Sequence, residues 1–132
     1  LPRELDALRA EVLAMRHKMR DAHGGKSELF DLKHDRGGLI DVEFLIQYLV
    51  LGHAHAHAEL TGNLGNIALL GIAGRLGLIP ADLAAACADS YRQLRRLQHR
   101  QRLNDQPSRV APEEAEAARK PVMALWQEVF GE

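Results

Sequence analysis

Apolar positions recur along this chain at spacings of three and four, the signature of helices that each bury one face. The first such stretch, predicted from about Pro2 to Arg20, lines up Leu5, Leu8, Val12, Met15 and Met19. Its other face carries Arg3, Arg9, Glu11, Arg16 and Lys18, so the stripe reads as a packing seam. His23-Gly24-Gly25-Lys26-Ser27 interrupts the pattern and predicts a loop. Phe30-Asp31-Leu32-Lys33 alternates apolar and polar residues and predicts a short extended segment. Gly37-Gly38 then marks a tight turn before a second helix, predicted from about Leu39 to Ala58. Apolar side chains point nearly all the way round that helix, which makes it the central, buried element. Asp41, Glu43 and Gln47 are its polar exceptions.

A third helix is expected from about Leu64 to Leu76, with Asn63 as N-cap and with Gly71 and Gly74 small enough to admit a neighbour. Gly77 stands where a left-handed C-terminal glycine belongs, and Pro80 follows. The fourth helix, about Ala81 to Asn104, sets Leu83, Cys87, Tyr91, Leu94 and Leu97 on one face. The last begins near Pro112, with Glu113, Glu114 and Glu116 suiting its N-terminus. Val122, Leu125, Trp126 and Val129 form its apolar face, and Pro121 should kink or split it. The expected fold class is therefore all-α: a single domain over residues 1–132, a bundle of about five helices with the second at its centre.

Composition narrows the function without naming it. The 132 residues (14.7 kDa) are 46% hydrophobic and 27% charged, which suits one folded domain with a real core. A net charge of −1 and a pI near 6.7 give no reason to expect nucleic acid or an anionic membrane as partner. No apolar run is long enough to span a bilayer. The single cysteine, Cys87, cannot form an internal disulfide and reads as an inert core thiol in a reducing, cytoplasmic compartment. A start at Leu-Pro-Arg-Glu-Leu, without initiator Met, suggests a piece of something longer.

Five groups of residues bear on possible chemistry. Gly25-Lys26-Ser27 resembles the end of a phosphate-binding P-loop, but Arg20 stands where its first glycine is needed and no strand precedes it. Gly37 and Gly38, just before a helix N-terminus and beside Lys33 and Arg36, could instead form a turn that receives a phosphate. Asp41 and Glu43 point to opposite sides of that helix, and the plain reading ties them to the preceding loop's N–H groups or to Lys33 and Arg36. His53 and His57 would share a helical face, with Glu59 as the nearest third ligand, too thin a set for a zinc site. Arg92, Arg95, Arg96, His99 and Arg100 form a basic stripe: either a solvated face or a docking surface for an acidic partner or nucleotide phosphates. Aromatic residues are not interleaved with it, which argues against single-stranded nucleic acid.

Phe30-Asp31-Leu32-Lys33, the run from Gly37-Gly38-Leu39-Ile40-Asp41-Val42-Glu43-Phe44 to Leu51, and Tyr91-Arg92-Gln93-Leu94-Arg95-Arg96-Leu97-Gln98-His99-Arg100 closely resemble the bifunctional glutamine synthetase adenylyltransferase/adenylyl-removing enzymes of bacteria. The likeness begins at Arg16-His17-Lys18-Met19-Arg20, includes Asn66 and ends with Trp126-Gln127-Glu128. It implies the last helical domain of a larger nucleotidyltransferase that moves AMP from ATP to a tyrosine of glutamine synthetase. Asp41 matches the adenylylating half, whose counterpart typically has Arg there. The Gly-Ser and Asp-x-Asp elements that hold magnesium and triphosphate in that family lie in the preceding domain and are absent here, so this chain should be inactive alone and hold no cofactor. Lys33, Asp41 and Glu43 become candidate cleft residues, and Gly37 and Gly38 the candidate phosphate-side turn. The implied partners are the chain's own upstream nucleotidyltransferase domain, glutamine synthetase and the regulatory PII protein. Two alternatives stand beside this: a pure docking module that uses the arginine stripe, and the equivalent domain of a PII uridylyltransferase.

Overall fold

The computed structural model describes residues 2–23, 27–62 and 64–132. Its elements run α1 (Pro2–His23), β1 (Phe30–Asp31), α2 (Leu39–His53), a 3₁₀ turn (Ala58–Thr61), α3 (Asn66–Arg75), α4 (Ala81–Leu103), β2 (Arg109–Val110) and α5 (Pro112–Phe130). Helix α2 touches each of the other four helices, so the element with apolar residues on nearly every side is the one the others surround. Glu43, Gln47 and Leu51, spaced four apart, form its single line of exposed side chains. Val42, Leu45, Leu70, Leu94, Val122, Leu125 and Trp126 fill the core. Among the described residues, no helix is long and apolar enough to cross a membrane.

Several expectations need correction. Helix α1 extends to His23, and its buried line substitutes Arg16 for Met15: Arg16 is fully buried while Met15 is 60% exposed. The expected 23–27 loop lies largely outside the described residues, as does the proposed cap Asn63. Helix α2 stops at His53 rather than Ala58, and a turn at Ala54–Ala56 leads into the 3₁₀ segment. Gly65 caps α3, which is shorter at both ends than its apolar pattern implied. Helix α5 is not split at Pro121 but continues from Pro112 to Phe130 and closes on left-handed Gly131.

The extended segment at Phe30 finds a partner that periodicity could not show. Phe30 pairs with Val110 and Asp31 with Arg109 in a two-residue antiparallel ladder, and Leu32 N–H continues it to the Ser108 carbonyl at 2.9 Å. This clasp ties the α1–α2 connection to the α4–α5 connection and so sets where the Lys33–Gly38 turn lies.

Candidate functional site

The Lys33–Gly38 turn is built inward. Gly37 has φ +85°, and a side chain there would press on Arg119 and Met123 of α5. A Cβ on Gly38 would lie 2.7 Å from the Leu32 carbonyl oxygen. The two glycines thus serve close packing of the turn against its surroundings. The N–H groups that a phosphate would need are occupied. Gly37 N–H donates to Asp41 Oδ2 (2.7 Å), Gly38 to the Asp35 carbonyl (3.0 Å), Leu39 to Leu32 (2.8 Å) and Ile40 to Lys33 (3.1 Å). The glycine turn therefore has no free N–H at these four positions with which to receive an anion, contrary to expectation.

Asp41 explains the arrangement. It is buried on α2 and accepts from Arg16 Nε at 2.5 Å as well as from Gly37 N–H. Arg16 also donates through Nη2 to the His34 carbonyl at 2.7 Å, and Arg20 Nη2 lies 3.8 Å from Asp41. This pair locks α1 onto α2 and shapes the turn between them. Asp41 is fully engaged inside the domain and does not face outward, so it is a poor candidate for direct contact with a neighbouring domain. Arg36 is likewise committed, donating to the Glu132 main-chain oxygen.

The turn's pair of acids is completed by Asp31. Burial pushes its carboxyl up, but the His34 and Lys33 N–H groups and the His34 ring outweigh that and hold it below the ordinary value of 3.8.

Lys33 and Glu43 face elsewhere. Both line a cleft of about 430 Å³ between the start of α2 and the second half of α4, together with His34, Arg95, Gln98 and Arg102. A second, larger groove of about 720 Å³ lies between the N-terminus of α3 and α4, lined by Asn66, Tyr91, Arg92, Arg95 and Arg96 among others. Arg95 borders both. The Tyr91 hydroxyl, on a largely buried ring, receives the Asn66 amide at 3.0 Å and Arg95 Nη1 at 3.4 Å.

The basic stripe therefore divides. Arg92, Arg95 and Arg96 line the α3–α4 groove, with Arg92 also paired to Asp89 at 2.7 Å. Arg100 turns to α5 and pairs with Glu114 at 2.6 Å, and exposed His99 lines neither groove. Sequence reasoning missed Gln98 and Arg102. Their signal was Gln98 itself, a polar residue on the buried line Ala84, Cys87, Tyr91, Leu94, with Arg95 and Arg102 three before and four after.

The histidine pair does not share a helix, because α2 ends at His53 and His57 is extended (φ −138°). Burial, then the charges of His57 and His55, hold His53 below its ordinary value. Among the described residues, no group of three or more His, Cys, Asp or Glu side chains could hold a metal ion. Cys87 is buried in α4, and desolvation pushes its thiol up to about 12, the condition of an inert core cysteine.

The structure is thus a helical body that presents two basic clefts. The chain belongs to the family described as GlnD PII-uridylyltransferase, whose model matches residues 6–120. It is 76% identical over 99% of its length to a bifunctional glutamine synthetase adenylyltransferase/adenylyl-removing enzyme of Aromatoleum aromaticum. The like-named proteins of Bordetella bronchiseptica and Nitrosomonas europaea are 57% and 50% identical, each over 98% of the chain. The chain spans only 14% of the first two relatives and 16% of the third.

Proposed function

We propose that this chain is the C-terminal helical domain of the adenylylating half of a cytoplasmic glutamine synthetase adenylyltransferase, and that its α2–α4 cleft faces the nucleotidyltransferase domain. The observation that carries the reading is the 76% identity across 99% of the chain to a protein of that name. ATP and magnesium would be held by the transferase domain, as the resemblance of the sequence implies. Lys33 and Glu43 are exposed members of the cleft and would touch that domain or its substrate. Asp41, through Arg16 and Gly37, would position the turn that carries Lys33.

A second reading is favoured by the α3–α4 groove: three arginines converge there, a surface suited to an acidic partner such as PII or glutamine synthetase. Incorporation of labelled AMP into glutamine synthetase by the longer enzyme separates the two. Changing Arg92 and Arg96, which line this groove and not the α2–α4 cleft, to Glu should abolish the response to the regulator and spare basal transfer if the groove only docks PII. Loss of basal transfer in that variant would make the groove part of the transfer machinery or of substrate docking. A regulator response unchanged by the double reversal would remove the docking reading.

A further inference from the structure

The α2–α4 cleft carries an inference about its ligand. Gln98 is 7% exposed and lines the cleft, yet among the described residues its carboxamide has no hydrogen-bond partner. Its amide atoms are open to the cleft and so are available to hydrogen-bond a ligand there. Around it stand Lys33, Arg95 and Arg102, none of them in an ion pair with any described residue. Among the described residues, the one acid in the lining is Glu43, on the opposite wall. Three cations against one carboxylate leave the cleft two positive charges in excess, His34 being counted neutral.

We infer that this cleft binds a phosphate monoester, its phosphate held by Arg95, Arg102 and Lys33 and hydrogen-bonded by Gln98. A phosphomonoester carries about −1.5 to −2 charges near neutrality, which matches the excess, whereas a single carboxylate leaves one cation unmet. Guanidinium groups offer planar paired donors suited to phosphate oxygens. The volume of about 430 Å³ exceeds what a bare phosphate needs, and Glu43 can accept from a hydroxyl on the organic part. The inference concerns the chain's own side chains and is tested without any transferase activity, so it stands or falls separately from the transfer reading.

The test is calorimetric titration of the chain at low salt with inorganic phosphate and glycerol phosphate, with acetate as the carboxylate control. Saturable binding of glycerol phosphate at one site is expected, tighter than phosphate and at least 10-fold tighter than acetate. Gln98→Leu and Arg102→Ala should each weaken it about 10-fold or more, roughly 1.4 kcal/mol. Lys33→Gln, on an exposed side chain that cannot disturb the core, should do the same, which guards against misfolding as the cause. Arg100→Ala, outside the cleft, should leave binding unchanged. Non-saturable binding, equal affinity for acetate, or binding indifferent to Gln98→Leu and Lys33→Gln would overturn the assignment.

Discussion

The residue that organises this domain is Asp41, and its work is internal. It neutralises buried Arg16 and takes the Gly37 N–H, so two helices and a turn depend on one carboxylate. Asp41→Ala leaves a guanidinium buried without a counter-charge and should cost about 3–5 kcal/mol in urea denaturation. A loss under 1 kcal/mol would show that the pair is solvated. The sequence allowed the plain reading of Asp41 as a partner of the loop's N–H groups, but it set Arg16 on a polar face, because helical periodicity marks an arginine as surface whatever it meets in the fold. The glycines divide by what surrounds them. Gly74 packs so closely that an added Cβ would sit 2.8 Å from the Ala84 methyl, whereas Gly71 has open space around it. Gly74→Ala should therefore destabilise by about 1–3 kcal/mol through overpacking. Gly71→Ala should stabilise by about 0.5–1 kcal/mol, because it restricts the unfolded chain. Thermal melts of the two variants that moved the same way would contradict the packing.

At the scale of elements, five helix positions and the central burial of α2 were legible, because long amphipathic patterns and terminal Gly and Pro residues act locally. The β1–β2 clasp was only half legible: Phe30-Asp31 alternated, but Arg109-Val110 offers two residues and no pattern, and pairing between segments far apart leaves no local trace. Pro121 was read as a break, yet α5 runs through it, anchored on both sides by buried Ala118, Val122, Leu125 and Trp126. Tertiary burial here outweighs a backbone penalty of about 3 kcal/mol. The clasp also gives the domain a pH response. Asp31 is held below its ordinary value in the folded chain, so the unfolded chain takes up the proton first as pH falls. Its stabilising contribution is complete above about pH 4 and is lost below that, as pH drops through the folded value. Melting temperatures followed from about pH 5 down to pH 2.5 should fall less steeply for Asp31→Asn than for the unaltered chain. Parallel slopes would dissociate Asp31 from acid sensitivity.

For the whole molecule, the distribution of charge matters more than its near-zero total. The basic stripe seen in the sequence is three things in the fold: a groove lined by Arg92, Arg95 and Arg96, a strut from Arg100 to Glu114, and exposed His99. The strut is half-exposed, so Arg100→Ala should cost no more than about 1 kcal/mol and less in high salt. A larger, salt-insensitive loss would mean that the α4–α5 contact leans on it. The candidate site was partly legible: Lys33 and Glu43 meet in one cleft, but Gln98 and Arg102 joined them only once α4 was laid against α2. The measurement that tests the account most directly is steady-state transfer of AMP from ATP to glutamine synthetase by the longer enzyme carrying Lys33→Ala or Glu43→Gln, with folding checked by circular dichroism. Both side chains face the cleft and lack ion pairs with described residues, so the fold should survive. A fall of about 100-fold in kcat/KM, roughly 2.7 kcal/mol, is expected for at least one of them. Unchanged transfer in both folded variants would contradict a cleft that faces the reaction.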